Sequence, residues 1–291
     1  MKNKAYAVLA ALACLLVASG AHADQPIDWA VSLQPAASTI MEEIHWFNDY
    51  TLWFIVPITI FVLILLIVVM VRFNEKSNPE PSKVSHNTLI EVVWTVGPVV
   101  VLLFLAIPSF QLLTAELAPT EEPELTVKAT GNQWYWSYEY QVENPLTYDS
   151  LMLTDADRAS TGKEDKSKYP RLLAVDNEMV VPVNKMVRVL VTGADVIHAF
   201  AMPSFGMKVD AIPGRMNETW FKANREGLFY GQCSELCGKD HAFMPIAIRV
   251  VSDENYTKWL AAAATNIGDA NKALMAAVDG PASSVAIASN K

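Results

Sequence analysis

The sequence predicts a two-helix transmembrane hairpin followed by an all-β domain with a Greek-key sandwich or barrel. Two long apolar runs without a charged residue predict the hairpin, and short alternating runs after about residue 123 predict the β domain. The 291 residues are 52% hydrophobic and only 18% charged, whereas soluble domains carry about 25% charged residues. This composition argues against an ordinary soluble enzyme, and it excludes a disordered chain.

The N-terminus has the pattern of a cleaved signal peptide over residues 1–23. Lys2 and Lys4 precede an apolar stretch over residues 5–18, and Ala21-His22-Ala23 forms a small-residue cleavage site. The alternative is a short anchor helix that is retained. Cys14 lies in this segment, so the mature chain is expected to keep only Cys233 and Cys237.

Two membrane spans are predicted at residues 50–72 and 89–115. Their uncharged cores, residues 50–71 and 92–115, reach ~33 and ~36 Å as helices, enough for a hydrocarbon layer of ~30 Å. The alternative is a pair of buried core helices, which the length and the lack of charge disfavour.

The placement of Lys and Arg predicts the orientation of the hairpin. Residues 24–49 contain no Lys or Arg, whereas Arg72, Lys76 and Lys83 lie at or in the linker of residues 73–88. Basic residues favour the cytoplasmic side. We therefore expect a two-pass protein of the bacterial inner membrane, with both termini and the β domain in the periplasm.

The β domain is predicted over residues 116–264. The runs with strand character are residues 125–129, 134–140, 178–183, 186–192, 220–223 and 243–251. The polar, charge-dense residues 155–168 are predicted to form a surface loop or insertion. Residues 253–264 are predicted to form a helix capped by Ser252 or Asp253, and the Ala-rich residues 265–291 a flexible tail.

A short segment concentrates metal-binding side chains. Cys233-Ser-Glu-Leu-Cys237-Gly-Lys-Asp-His241-Ala-Phe-Met244 holds two thiols, an imidazole and a thioether, and His198 lies on a separate strand end. Thiolate, imidazole and thioether are the soft and borderline ligands of copper. Two thiolates can bridge two ions, with Met244 as a weak axial ligand to one ion and a backbone carbonyl between the cysteines as a ligand to the other.

Two other interpretations of this segment stay open. Cys233 and Cys237 could form a disulfide, which the periplasm permits, although this leaves the two histidines and Met244 unexplained. A tetrahedral Cys2His2 zinc site also fits the number of ligands, but zinc has no use for Met244.

The charge balance points to a basic partner. The chain has 22 Lys+Arg and 31 Asp+Glu, a formal net charge of −9. Nucleic-acid binding is disfavoured, because phosphate requires basic patches.

Four motifs together identify a resemblance. The segments CSELCGKDHAFM, DVIHAFAMPSFGMKVDAIPGR and GNQWYWSYEY, with the two-span hairpin, resemble the subunit 2 family of cytochrome c oxidase, which carries the binuclear CuA centre. The resemblance covers residues 49–251 and implies a cupredoxin-like fold for the β domain. Residues 155–168 and the last thirty residues lie outside the pattern.

The resemblance implies a set of metal ligands. It makes Cys233 and Cys237 the bridging thiolates and His198 and His241 the imidazole ligands of two copper ions. Met244 and the Glu235 carbonyl become the axial ligands. It also implies that the Glu235 side chain binds magnesium or manganese shared with subunit 1, and the alternative is a solvated carboxylate.

The resemblance also implies where electrons arrive. Trp134 becomes the ring that receives them, and Glu139 and Asp195 belong to a docking surface for the basic face of cytochrome c. Periodicity alone cannot choose Trp134 over Trp136, because both are predicted on one strand face with Tyr138 and Tyr140.

Glu91 has two interpretations. Thr88-Leu-Ile-Glu91 matches a capping box, and the resemblance places this Glu at the mouth of a proton path into the catalytic subunit.

The resemblance implies an electron-accepting subunit of a proton-translocating, haem-copper cytochrome c oxidase. Electrons would pass one at a time from cytochrome c to haem in subunit 1, where oxygen is reduced to water, and the chain itself would hold no oxygen site. Further oxidase subunits and the lipid bilayer are the other expected partners. The alternatives are a copper-free subunit 2 of the quinol-oxidase type and a copper chaperone or storage protein.

Overall fold

The structure is a computed structural model that describes residues 24–119 and 121–279. It divides into two units, residues 42–120 and the remainder. The predicted signal peptide and the end of the predicted tail lie outside the described residues.

Two helices form the first of these units. α1 spans Thr39–Arg72 and α2 spans Thr88–Leu117. Among the described residues, these two helices are long and apolar enough to cross a membrane, which agrees with the two predicted spans. α1 begins well before residue 50, because hydropathy marks the length of helix that fits in lipid and not the whole helix.

The start of α2 corrects the predicted capping box by one residue. The N-cap is Asn87, whose side chain accepts a hydrogen bond from Ile90 N at 3.2 Å. Glu91 Oε1 accepts one from Asn87 N, also at 3.2 Å. Asn is a better N-cap than Thr because its carbonyl reaches the free N–H groups of the first turn more readily. The Glu91 side chain therefore caps the start of α2 by accepting the N–H of Asn87, one turn before it.

Two five-stranded sheets form the second unit. In the described residues the strands are β1 Leu125–Asn132, β2 Tyr135–Tyr140, β3 Leu146–Ser150, β4 Met179–Pro182, β5 Met186–Gly193, β6 His198–Met202, β7 Met207–Ala211, β8 Asn217–Lys222, β9 Gly227–Cys233 and β10 Pro245–Val251. One sheet has the order β3-β2-β1-β5-β8 and the other β4-β10-β9-β6-β7. The pairs β1–β5 and β4–β10 are parallel, and the other pairs are antiparallel.

Side chains from both sheets share one core. Alternate residues of β1 are buried, as expected for a strand with one face in the core. Tyr140 of β2 joins the two sheets, because its hydroxyl donates to Val180 O of β4 and accepts from Val180 N, both at 2.8 Å. Trp136, Tyr138 and Tyr140 are fully buried, as core side chains should be.

Trp134 does not share that strand face. It lies in the turn between β1 and β2 and is only half-buried. In the sequence, the aromatic residues at every second position continue from the strand into the turn. The pattern alone therefore assigns Trp134 to the strand by mistake.

Residues 155–168 contain a short helix, α3 Arg158–Thr161, and are not simply a polar surface loop. Arg158 and Lys163 are buried here. Lys163 Nζ lies 2.9 Å from Glu178 Oε1, and Glu178 also pairs with Arg249 of β10. Buried charges of opposite sign can pair, so this charge-dense segment packs inward.

Two helices follow β10. α4 spans Asp253–Ala263 with Ser252 as its N-cap, which accepts from Asn255 N at 3.3 Å. This confirms the predicted helix.

The predicted flexible tail is wrong over residues 267–279. These residues form α5 Ile267–Asp279, with Ala270, Asn271 and Leu274 buried. Ile267, Ala270, Leu274 and Val278 recur at the spacing of one helix face, so the sequence carried a helix signal that the prediction overlooked. α5 is also held in place by Asn271, whose Oδ1 accepts from Trp259 Nε1 at 2.8 Å.

Candidate metal centre

One loop carries most of the candidate ligands. β9 ends at Cys233 and β10 begins at Pro245, and the two strands pair with Pro245 opposite Gln232. The intervening loop therefore starts and ends at the same place on the sheet. Cys233, Cys237 and Met244 are buried in it, whereas His241 is half-buried.

Strand register brings His198 to this loop. His198 is the first residue of β6, and β6 pairs with β9 so that Phe200 lies opposite Cys233. His198 is fully buried, and its Nδ1 lies 3.9 Å from Cys233 Sγ. A shift of one residue in this register would turn the Cys233 side chain to the other face of the sheet.

The candidate ligand atoms surround one small volume. Cys237 Sγ lies 3.5 Å from His241 Nδ1 and 3.5 Å from Met244 Sδ. Cys233 Sγ lies 3.4 Å from the Glu235 carbonyl oxygen. The ligand atoms of His198, Cys233 and Cys237 all lie within 4.8 Å of one another. Each sulfur therefore has one imidazole and one further donor atom beside it.

The two sulfurs are spaced for a shared metal. They lie 3.9 Å apart and are not bonded to each other in this structure. A disulfide requires about 2.05 Å, whereas thiolate–metal bonds of about 2.3 Å would let both sulfurs touch one ion. Two thiolates, two imidazoles and a thioether match the ligand preference of copper. The residues present therefore fit a copper pair.

The electrostatics of the thiols also favour a cation. Burial raises the pKa of Cys237, and the adjacent Cys233 sulfur raises it further. Burial acts in the same direction on Cys233, but hydrogen bonds with His198 and the loop backbone outweigh it and lower that pKa. Two buried thiolates this close repel each other. A bound metal ion offsets that repulsion and allows both sulfurs to be ionised.

Asp195 holds His198 from the side opposite to the sulfurs. Its Oδ1 lies 2.8 Å from His198 Nε2, and the same atom accepts from Val196 N at 2.6 Å. Its Oδ2 accepts from Gln133 N at 2.7 Å. A carboxylate on the far ring nitrogen fixes the orientation of a metal-binding histidine. Burial alone would raise the pKa of Asp195, but these hydrogen bonds outweigh it and lower it.

The turn between β1 and β2 contacts the ligand loop directly. Trp134 Nε1 donates to the Cys237 carbonyl at 3.3 Å, and Gln133 Nε2 donates to the same oxygen at 2.9 Å. Trp134 was predicted from the sequence as a site residue, whereas Gln133 was not. Its position beside Trp134 in the motif GNQWYW was the available signal.

The family models decide the identity of the fold. The model described as "Cytochrome C oxidase subunit II, periplasmic domain" matches residues 125–251, and "Cytochrome C oxidase subunit II, transmembrane domain" matches residues 26–112. The chain belongs to the cytochrome c oxidase subunit II family.

Curated relatives agree with this assignment. The chain is 48% identical over 263 residues to the probable cytochrome c oxidase subunit 2 of Rickettsia felis, which covers 90% of this chain and 81% of that protein. It is 43% identical over 265 residues to cytochrome c oxidase subunit 2 of Cereibacter sphaeroides, covering 84% and 87%. A crystal structure of the periplasmic domain of subunit II of cytochrome oxidase from Bradyrhizobium japonicum is 61% identical. It covers 50% of this chain and 98% of its own, with a TM-score of 0.45.

Membership of the subunit II family establishes the general role. The chain is a subunit of a haem-copper cytochrome c oxidase, with copper-based electron transfer of the CuA type as its task, and it works beside subunit 1. It is a two-pass membrane protein with a C-terminal periplasmic domain that has the CuA cupredoxin fold.

Three predicted side chains, those of Glu139, Glu235 and Glu91, are not among the candidate copper ligands. Glu139 of β2 is directly opposite Lys128 of β1, and Lys128 Nζ lies 3.3 Å from its Oε2. The Glu235 side chain is exposed on the ligand loop, while its carbonyl faces Cys233. Glu91 caps α2 in the hairpin unit, as described above.

Proposed function

We propose that this subunit accepts single electrons from cytochrome c and passes them to haem in subunit 1, where oxygen is reduced to water. The observation that carries the proposal is a pair of buried sulfurs, 3.9 Å apart, each beside its own imidazole. When bound, a copper pair supplies the uptake and release of one electron at a time.

The proposed ligands are the six residues predicted from the sequence. Cys233, Cys237, His198 and His241 would hold the two copper ions. The Met244 sulfur and the Glu235 carbonyl would complete the set of donors. Support comes from the contacts of 3.4 to 3.9 Å that join these atoms to the two sulfurs. Because the protein supplies every donor and the cysteines are buried, no position is left for a substrate.

The surroundings of His198 keep the ligands in place. An added Cβ at Gly131 of β1 would lie 2.9 Å from two carbon atoms of the His198 ring. The ring of Trp136 packs against the histidine with centroids 6.1 Å apart. Rigid ligands favour electron transfer, since little has to move when the charge changes.

Trp134 is the proposed point where the electron arrives. It is half-buried in a surface turn and its indole touches the Cys237 carbonyl, so it reaches from solvent to a ligand residue. Trp136 has no exposed surface and cannot meet a partner protein. This difference in exposure supports Trp134 over Trp136 as the proposed entry point.

Glu139 and Asp195 are proposed to help dock cytochrome c. Glu139 follows Trp134 closely in the sequence. Asp195 is distant in sequence, but its Oδ2 accepts a hydrogen bond from the N–H of the neighbouring Gln133 at 2.7 Å. The subunit also carries a net charge of −9. A partner with a basic face would be steered to such a surface, with rates that fall as salt rises.

Several further assignments complete the proposal. The exposed Glu235 side chain would bind magnesium or manganese together with subunit 1, and Glu91 would lie at the mouth of a proton path of the proton-translocating complex. The signal peptide would be removed, and both ends of the mature chain would face the periplasm of the inner membrane.

The copper pair is tested on the purified complex. We expect about two copper ions per chain and an electron paramagnetic resonance spectrum with hyperfine structure from two equivalent nuclei. Cys237→Ser should abolish the shared valence and leave any residual copper mononuclear. An unchanged two-copper spectrum in Cys237→Ser, or zinc in place of copper, would contradict the proposal. Rapid copper transfer to a chelator would instead favour a chaperone.

The electron route is tested with Trp134→Phe. This variant should retain its copper and lose most of its rate with cytochrome c, because the ring that touches Cys237 has changed. Full turnover of Trp134→Phe with cytochrome c would show that electrons do not enter through Trp134.

A further inference from the structure

Gln133 connects two segments that hold candidate ligands. Its backbone N–H donates to Asp195 Oδ2 at 2.7 Å, and its side-chain Nε2 donates to the Cys237 carbonyl at 2.9 Å. Asp195 in turn holds His198. One residue of the β1–β2 turn therefore bonds to both the loop that ends at His198 and the loop that carries the two cysteines.

The Cys237 carbonyl is shared by neighbouring donors. A carbonyl oxygen has two lone pairs and can accept from two groups. The bond from Gln133 Nε2 at 2.9 Å has the common length, whereas the bond from Trp134 Nε1 at 3.3 Å is beyond the usual range. The amide therefore holds this carbonyl more firmly than the indole does.

The space around this carbonyl is closely filled. Gly238 follows Cys237, and an added Cβ there would lie 3.0 Å from Trp134 Cζ2 and 3.2 Å from Gln133 Nε2. Lys239 Nζ lies over the indole, 5.6 Å from its centroid. The indole and the amide thus pack side by side on the ligand loop, and the loop can approach them because residue 238 has no side chain.

We propose that Gln133 is a positioning residue for electron transfer, holding the Cys237 carbonyl where the Trp134 indole contacts it. This inference rests on the proposed route through Trp134. Gln133 acts by fixing the distance between the ring and the ligand loop, and it neither binds copper nor carries the electron. Loss of its amide leaves the loop attached to the indole by the longer bond alone.

The test uses Gln133→Met in the purified complex, because methionine has a similar length and no donor. The matched control is Gln141→Met, since Gln141 lies beyond the other end of β2 and donates a hydrogen bond to Thr126 O through its backbone N–H. For Gln133→Met we expect kcat with cytochrome c to fall roughly 10- to 100-fold, as for a misplacement of about 1 Å. The copper content, KM and salt dependence should stay unchanged. A raised KM with unchanged kcat would overturn the proposal and make Gln133 a docking residue, and loss of copper would also overturn it.

A double variant shows whether Gln133 acts through Trp134. If it does, Gln133→Met combined with Trp134→Phe should be no slower than Trp134→Phe alone. The rate losses caused by two residues that act through one contact do not add. Fully additive losses would overturn the proposal. If Trp134→Phe alone has full turnover, the proposed route fails. If Trp134→Phe is slow and Gln133→Met is not, only the role of Gln133 fails.

A measurement without turnover completes the test. In the copper-free full-length chain, backbone amides over residues 234–240 should exchange hydrogen faster in Gln133→Met than in Gln141→Met, since the loop has lost a bond. Equal exchange in the two variants would overturn the proposal.

Discussion

Asp195 Oδ1 and His198 Nε2 lie 2.8 Å apart, so the acid holds the histidine on the side that faces away from Cys233. The other ring nitrogen, Nδ1, faces the sulfur at 3.9 Å. With Nε2 bonded to a carboxylate, Nδ1 is the nitrogen left for a metal ion. Asp195, for which the family resemblance implies a role in partner docking, therefore orients a candidate ligand.

Asp195→Ala is expected to weaken copper binding. Removing an acceptor behind a metal-binding histidine lowers metal affinity by about 10- to 100-fold, and competition with a chelator of known affinity measures the change. Glu139→Ala is the control, because it also removes a carboxylate but its partner is Lys128. If Asp195→Ala keeps its copper affinity and changes only the salt dependence of the cytochrome c reaction, the residue serves docking alone.

Gly131→Ala is expected to displace the His198 ring. The new Cβ would lie 2.9 Å from two ring carbons, and overpacking of this kind costs about 1–3 kcal/mol. We expect lower copper occupancy in the purified complex, measured by metal analysis. Gly268→Ala is the control, since its nearest neighbour would be Asn266 Oδ1 at 3.4 Å. Full copper occupancy in Gly131→Ala would show that the ring has room to move.

Glu178→Gln is expected to destabilise the periplasmic domain. Glu178 is buried between Lys163 and Arg249, and removing one member of a buried charge group costs about 3–5 kcal/mol. Denaturant unfolding of the full-length chain measures the loss. Glu164→Gln, an exposed carboxylate nearby, should change little, and an equal effect in both variants would contradict the prediction.

The same residue predicts a pH dependence. Burial acts to raise the pKa of Glu178, but Arg249 and Lys163 outweigh it and lower the pKa to about 2, below its ordinary 4.5. The stabilisation is therefore complete above pH 4.5 and is lost as the pH falls toward 2. Glu178→Gln should unfold with a weaker pH dependence in this window, as thermal melts at several pH values would show. Identical pH profiles for Glu178→Gln and the unchanged protein would rule out Glu178 as the source of this pH dependence.

Asn271→Leu is expected to loosen α5. The substitution removes the acceptor of the Trp259 indole and the donor to Asn177 Oδ1, which lie at 2.8 and 3.0 Å. An unsatisfied buried donor costs about 1–3 kcal/mol, so the melting temperature should fall. Lys272→Ala on the exposed face of the same helix should leave it unchanged. A melting temperature that is unaffected by Asn271→Leu would mean that α5 contributes little to the domain.

The hairpin and the ligand loop could be predicted from local sequence. An uncharged apolar run of more than 20 residues is long enough to span a membrane as a helix. The spacing of Cys233, Cys237, His241 and Met244 places four donors of three types on one short loop. His198 was predicted from its chemistry and motif. The structure adds the reason for its position, namely the pairing of β6 with β9.

The polar interior could not be predicted in the same way. Lys163 is buried because its ammonium pairs with Glu178, and Arg158 because its guanidinium donates to the Lys163 and Tyr169 carbonyls. A pattern of apolar and polar residues does not report such partners. α5 is a different case, because its apolar residues have helical spacing and the sequence signal was overlooked. The strands β3, β7 and β9 were also absent from the predicted runs, and β6 was predicted only as a strand end at His198. β3 and β7 alternate over five residues each, which is too short to stand out, and most of β9 is buried without a period.

The pairing of Phe200 with Cys233 has a consequence for the order of assembly. Before β6 and β9 meet, nothing holds His198 beside the cysteine loop, and an arriving ion finds the two cysteines, His241 and Met244 without the second imidazole. Copper delivered to a chain that has not yet folded would therefore meet an incomplete site. Loading is expected to follow closure of the sheet, on the far side of the membrane from where the chain is made.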